Sequence, residues 1–385
     1  MYLIYEKDKL GRTIFEMIFK NTGSVFAKDG VANMTAYILN KRGTLKDKEK
    51  FYSSLEEKAV NLTITSNREF TTISLVFLNE NKNFAIKKLL ELLENPNFTE
   101  EALEKSKKEL LAKKESLKNN YDYIANQNLF KTIFKDTPLQ HPVIGDDIEN
   151  ITLEDIKNHF KTYSKEAVVF INGGEKIDIR PFLDILPSNS LKKDLFFKPK
   201  HGNITEKHNV EQSYIYFGSE FNISNDELYL AKTATFILGA GGFGSRMMEE
   251  IRVKRGYAYS AYAQNEFQKT YTILKGHLQT KLENTEDAIK IVKELIDDFV
   301  KNGVSEEELN QAKKFLIGSE PLRNELLAQR LLRKFKEYYY NLPEGYYEKE
   351  LQMINSLELK ELNDFIKKHD EIKNLSFSIV TNENN

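Results

Sequence analysis

Apolar residues along this chain follow two alternating periods. Phe15, Met17 and Phe19 are spaced by two, Leu62 and Ile64 likewise, and residues 71–78 continue in that manner. A period of two sends successive side chains to opposite faces, so these stretches predict half-buried strands. Ile86, Leu89, Leu90 and Leu93 then recur at spacings of three and four, which predicts an amphipathic helix. The second half shows the same succession. Residues 214–217, 257–263 and 270–277 read as strands, and Ala288, Val292, Leu295, Ile296 and Phe299 mark a helix. Each half closes on a short strand after a helix, at residues 167–171 and 375–380. Strands, then helices, then a last strand predict an α+β domain whose antiparallel-rich sheet carries helices on one face.

The two halves also match in detail. Residues 32–39 are echoed by 231–238, Ala85-Ile86-Lys87 by Ala288-Ile289-Lys290, residues 99–103 by 305–309, and Thr152-Leu153-Glu154 by Ser356-Leu357-Glu358. The four matches keep their order, at offsets between 199 and 206 residues, close to half the chain. That is the signature of a tandem duplication. Thr99 and Ser305 precede apolar helical runs and suit N-caps, and Ser305 with Glu308 fits a capping box. Between residues 175 and 203 lie Pro181, Pro187 and Pro199, three of eight prolines, together with a basic stretch at 191–200. We therefore expect an N-terminal domain at 1–180, an exposed linker at 181–203 and a C-terminal domain at 204–385. Two similar domains on such a linker are suited to facing each other.

Composition narrows the classes of function. The 385 residues are 40% hydrophobic and 30% charged, with 56 basic against 58 acidic side chains. That balance suits globular domains and lacks the cationic excess of a nucleic-acid protein. Cysteine is absent, which excludes disulfides, thiolate metal sites and a cysteine nucleophile. No signal-peptide pattern opens the chain, and no apolar run approaches the roughly 20 residues that span a bilayer. The expected address is cytoplasmic. A periplasmic one follows instead if the natural start lies upstream, because the chain begins inside its first strand.

Gly239-Ala-Gly241-Gly-Phe-Gly244 fits a dinucleotide fingerprint, provided that a strand precedes it and a helix follows. The run before it aligns instead with a first-half helix, and the acid nearest the required distance is Glu266. The six histidines, His141, His159, His201, His208, His277 and His369, include no pair at the helical spacing of a zinc motif. His159 and His369 fall late in helices and read as surface residues. Gly-x-Ser-x-Gly and phosphate-loop motifs are missing, and residues 100–118 read as a solvated Lys/Glu helix face. After the glycines, a helix is expected to end at Gly256 and a strand to begin at Tyr259. Arg252 and Tyr259 then flank a turn. They either converge as a site or are an Arg paired with Glu249 and a core Tyr.

The stretch from Gly241 to Ser260, Gly-Gly-Phe-Gly-Ser-Arg-Met-Met-Glu-Glu-Ile-Arg-Val-Lys-Arg-Gly-Tyr-Ala-Tyr-Ser, resembles the second-domain signature of pitrilysin/insulinase-type zinc peptidases, most closely the bacterial relatives of mitochondrial processing peptidase. The resemblance implies two homologous domains forming half of a clamshell. Active members carry H-x-x-E-H on a first-domain helix and a third ligand, Glu, about 76 residues on. Two His and that Glu hold zinc, and the Glu within the motif activates water. Here Asn33 and Tyr37 stand at the histidine positions, Ala36 at the base and Lys113 near the third ligand, with Glu109 one helical turn away. The resemblance therefore implies no metal or other cofactor in this chain. In the family an Arg and a Tyr seven residues apart assist the zinc site, and Arg252 and Tyr259 keep that spacing. The implied role is that of a non-catalytic subunit. Zinc would reside in an H-x-x-E-H paralogue, as a heterodimer, or the chain would form a homodimer, and peptides would add as a strand to a sheet edge. The alternative is a structural or peptide-holding scaffold with no part in hydrolysis.

Overall fold

The computed structural model describes residues 2–46 and 50–382. The chain folds into two compact units, and each is built from discontinuous segments. The first comprises Met1–Ser116, His141–Asp194 and Asn324–Lys336, the second Leu117–Gln140, Leu195–Arg323 and Glu337–Asn385. The units thus depart from a single cut at 181–203: each draws one segment from the other half of the sequence.

The first unit holds strands β1 (Tyr2–Glu6), β2 (Arg12–Lys20), β3 (Asn61–Ser66), β4 (Phe70–Leu78) and β5 (Val168–Gly173) in the order β1-β5-β2-β4-β3. The second holds β6 (Ile204–Lys207), β7 (Gln212–Glu220), β8 (Ala261–Phe267), β9 (Thr272–Lys281) and β10 (Ser376–Thr381) in the order β6-β10-β7-β9-β8. In both sheets the first two strands pair in parallel and the rest antiparallel. The identical strand order and sense are the structural form of the duplication. Strand β6 escapes the hydrophobic pattern because Ile204-Thr-Glu-Lys has one large apolar residue and no buried position.

One face of each sheet carries the helical layer that alternation predicts. Phe15, Met17, Phe19, Leu75, Phe77 and Phe170 form a single core with Leu89, Leu92 and Leu93 of helix Lys82–Glu94. Ile215, Phe217, Leu274 and Leu278 do the same with Val292, Ile296 and Phe299 of helix Thr285–Asn302. The opposite faces are also covered. Every residue of β5 is buried. On its far side, Gly173 meets Leu327 and Leu331 of helix Leu327–Tyr339, and Phe335 packs edge-on to Phe70 with ring centroids 5.5 Å apart. Arg330 and Lys334 of that helix reach Glu6 at 2.5 and 2.6 Å. In the second unit, helix Tyr121–Ile133 covers the far face: Gly218 meets Leu129, and Tyr216 donates to Asp122 at 3.2 Å. Two-sided burial explains why strands such as β2 and β7 read as near-continuous apolar runs.

Helix boundaries follow the sequence signals. Ser305 and Glu308 form the expected capping box, Thr152 and Asp155 form another, and Thr99 Oγ1 accepts from the Ala102 N–H at 3.2 Å. Residues 186–203 have no regular structure but are fastened. Asn21 donates to the Lys192 carbonyl at 2.7 Å in the first unit, and the Phe197 N–H donates to the Thr270 carbonyl at 2.8 Å in the second. The surface reading of two histidines fails, because His159 and His369 are only 5% and 3% exposed. His369 is held between Glu371 and Glu227, whereas His159 Nε2 is buried with no hydrogen-bond partner among the described residues. Burial, with a lesser contribution from the nearby Lys192 charge, pushes the His159 pKa down to about 3.

Two outcomes are expected. Leu331→Ala, which opens a cavity on the far face of the first sheet, lowers stability by about 2–5 kcal/mol in urea unfolding; a loss under about 0.5 kcal/mol would detach that helix from the core. His159 takes up its proton only on unfolding, so its contribution is complete above pH 6.5 and falls as pH drops toward 3. Between pH 6.5 and 5 that amounts to about 2 kcal/mol, and His159→Leu should flatten the profile by this much relative to wild type.

Candidate functional site

The glycine cluster sits at the end of a helix. Helix Leu228–Thr235 continues as a wider turn, Phe236–Ala240, with no strand before it. A Cβ at Gly239 would lie 2.2 Å from the Ala263 amide nitrogen, so this glycine lets the helix end press against β8. The glycines serve helix-to-strand packing and a turn, which removes the strand–loop–helix context of a dinucleotide site.

The chain then forms a second widened helix, Met248–Val253, turns at Gly256 and enters β8 at Ala261, two residues beyond the expected start. Arg252 ends the helix and Tyr259 follows the turn, and the two converge. The Arg252 guanidinium carbon lies 4.4 Å from the Tyr259 ring centroid and 4.6 Å from that of Phe243. Stacking of this kind holds a guanidinium plane by cation–π attraction while leaving its N–H edge free. Arg252 has no ion pair with Glu249, and its side chain donates no hydrogen bond among the described residues. Tyr259 is 83% exposed, so the reading as a core residue fails. Phe243 was missed from sequence; its signal was a large apolar side chain inside a glycine loop, where 67% of it faces solvent.

On helix Val31–Lys41 the residues standing where zinc ligands are expected make other contacts. Ala36 is buried in the sheet-facing core. The Tyr37 hydroxyl donates to Glu109 Oε2 at 2.8 Å, and Arg42 pairs with the same oxygen while its Nε donates to Ser106 at 2.9 Å. Burial raises the Glu109 pKa, but hydrogen bonds from Tyr37 and Arg42 outweigh it and hold the carboxylate below its ordinary value. Burial, and then the bond to Glu109, raise the Tyr37 pKa, so the phenol stays neutral. Asn33 Oδ1 is buried without a partner among the described residues, and Lys113 lies one turn beyond Glu109, outside this network. Glu109, rather than Lys113, faces position 37. An amide, a neutral phenol and an arginine-bound carboxylate do not fit zinc, which takes about three His or carboxylate donors.

One other group among the described residues brings three potential ligands within reach of each other: Asp29, His141 and Asp146. Their hydrogen bonds are those of a loop staple. Asp29 Oδ2 accepts the Asp146 and Asp147 N–H groups at 2.7 and 2.9 Å, His141 Nδ1 lies 2.9 Å from Asp146 Oδ2, and Lys114 Nζ stands 3.5 Å from Asp146 Oδ1, where it would repel a cation.

Family models agree with this architecture. One described as Insulinase (Peptidase family M16) matches residues 16–147, and one described as Peptidase M16 inactive domain matches residues 143–316. A Helicobacter pylori protein named "Non-peptidase homolog YmxG" is 37% identical over 398 residues, covering 99% of this chain and 92% of that protein. The chain belongs to peptidase family M16. A Bacillus subtilis member, "Uncharacterized zinc protease YmxG", is 18% identical over 350 residues, covering 87% of this chain and 85% of its own. A solved structure described as a peptidase M16 inactive domain from Pseudomonas fluorescens superposes with a TM-score of 0.88 at 23% identity, over 99% of this chain and 94% of that one. This likeness shows the shared fold. Unlike the active M16 pattern, the present chain has no H-x-x-E-H at residues 33–37. Among the described residues, no helix is long and apolar enough to cross a membrane.

The placement of Glu109 has a direct test. A variant combining Asn33→His, Ala36→Glu and Tyr37→His, with Arg42→Leu to release Glu109, is expected to retain one zinc per chain after dialysis, read by elemental analysis. Glu109→Ala in that background should remove the metal and Lys113→Ala should not; the reverse pattern would place the third ligand at Lys113.

Proposed function

We propose that this chain is the non-catalytic subunit of a heterodimeric, processing-type zinc peptidase. It would contribute Arg252 and Tyr259 to the active site of a paralogue that carries H-x-x-E-H. The observation that supports this reading is the guanidinium of Arg252, packed on the rings of both Phe243 and Tyr259 with its N–H groups unused among the described residues. A peptide carbonyl, or the oxyanion that develops from it, is the complement of such an edge. Donors fixed before reaction stabilise developing charge without reorganising. The hydroxyl of the exposed Tyr259, whose ring packs on Arg252 from across the turn, is a second donor. Zinc and the base that activates water would come from the partner, since the Asn33, Ala36 and Tyr37 positions supply neither.

Peptide would bind in extended form against a sheet edge. The edge strands narrow where this is feasible. Asn40 Oδ1 already takes the Ile64 N–H of β3 at 2.9 Å, and the Gly239 turn lies against Ala263 of β8. On β3 and β8 an added strand therefore has to pair beyond these two points, and β1 and β6 are the other two edges.

The test is reconstitution of the chain with its H-x-x-E-H paralogue and assay on unfolded peptides. The complex should cleave and the lone chain should not. Arg252→Ala should lower kcat of the complex by about 10²-fold or more, with complex formation unchanged. Turnover unaffected by Arg252→Ala and Tyr259→Phe would leave a scaffold role in its place, and chelator-sensitive cleavage by the lone chain would overturn the reading outright.

A further inference from the structure

Helix Lys82–Glu94 of the first unit has a second face that the core covers only in part. Ala85, Leu89, Leu92 and Leu93 are buried on its inner side. On its outer side Ile86, Lys87, Leu90, Glu91 and Glu94 follow one another at helical spacing and line a groove of about 710 Å³. Thr44 and Lys46 wall the groove at the C-terminal end of the helix, where the Leu45 N–H donates to the Asn95 carbonyl at 3.1 Å. Ile177, Asp178 and Pro181 wall it near the N-terminal end, where Lys82 Nζ lies 3.1 Å from the Lys176 carbonyl. Ile86 and Leu90 are half-buried and Pro181 is exposed, so apolar surface stays open to water in a concavity sized for one small ligand.

Two further observations say what kind of molecule fits. The first comes from the duplication. Ala85-Ile86-Lys87 corresponds to Ala288-Ile289-Lys290, so Leu90, three residues on, corresponds to Lys293. Helix Thr285–Asn302 packs on its sheet with that lysine exposed, so the shared fold does not demand an apolar side chain at this place. The second is the charge of the lining. Lys82 is paired with Glu175 at 2.6 Å, Glu91 with Lys88 at 3.2 Å and Asp178 with Arg180 at 2.6 Å. Lys46, Lys87 and Glu94 have no partner among the described residues. Two free ammonium groups against one free carboxylate leave a single uncompensated positive charge above an apolar floor. A cation adds to that excess and a neutral molecule leaves it unmatched, whereas an anion with an apolar body matches both features.

We propose that this groove binds an amphiphilic organic anion, a carboxylate on an aliphatic chain. Its head is held by Lys46 and Lys87, and its chain lies on Ile86, Leu90 and Pro181. The site belongs wholly to the first unit, and it stands apart from the subunit reading given above: neither Arg252 nor a partner chain takes part in it.

The full chain is titrated calorimetrically at neutral pH with decanoate, decylammonium and butanoate, each kept below the concentration at which it forms micelles. Decanoate should saturate a single site per chain and bind at least about tenfold tighter than either of the others, the first difference reporting the head and the second the chain. Lys46→Glu combined with Lys87→Glu should weaken decanoate by about tenfold or more and turn the preference toward decylammonium, with Tm unchanged because both lysines are exposed and unpaired. Leu90→Lys, which installs the residue of the second copy, should remove the advantage of decanoate over butanoate. Equal affinity for decanoate and decylammonium, uptake of many decanoates without saturation, no measurable binding, or binding unchanged in both variants overturns the proposal. So does sedimentation in which Leu90→Lys turns a dimer into a monomer, which would make a second copy the occupant of the groove.

Discussion

The organising constraint is that the central strands of each five-stranded sheet are buried on both faces. One face packs on helices that follow it in sequence, and the other on a helix from a distant segment: Leu327, Leu331 and Phe335 in the first unit, Leu129 and Ile133 in the second. A sheet left open on one side would expose Val169 and Ile171 of β5, both buried here to within 1%. The same requirement makes each unit discontinuous in sequence. Neither sheet is covered on its far face until a helix from outside its own run of strands has been laid across it, so the two halves of the duplication cannot be separated by one cut in the chain.

Rigid sheets determine where chemistry can be placed. In both units a helix runs beside the edge strand: Val31–Lys41 beside β3, and Leu228–Thr235 with its widened end beside β8. The duplication thus produces two equivalent positions with different contents. In the first, Tyr37, Glu109 and Arg42 close on one another, and the charge of the carboxylate is consumed internally. In the second, the helix end loosens into a glycine loop that exposes Phe243, and the turn after the next helix exposes Tyr259, both rings packing on the half-buried Arg252. One site is satisfied by its own side chains and the other is left asking for an acceptor.

The network around Tyr37 shows how a carboxylate beside this helix is satisfied by protein groups alone. A buried polar group left unpaired costs about 1–3 kcal/mol, and a charge more. With a phenol and an arginine both directed at Glu109, the carboxylate is held in its charged form. Beside this network, Asn33 Oδ1 is buried with no hydrogen-bond partner among the described residues.

The sequence by itself determined the repeat, the strands that alternate, the caps at Thr99 and Ser305, and the lack of H-x-x-E-H at residues 33–37. These depend on local spacing and residue chemistry, which are present before the chain folds. It also placed Arg252 and Tyr259 on two sides of a turn, because helix-ending and strand-starting signals are local. What only the tertiary structure decided is which distant groups meet. The partnership of Glu109 with Tyr37, the stacking of Phe243 on Arg252, the burial of His159 and the helix lent to the far face of each sheet join residues whose spacing along the chain carries no period. Such contacts are set by how twisted sheets and helices stack in three dimensions, and a one-dimensional pattern of apolar and polar positions holds no record of them.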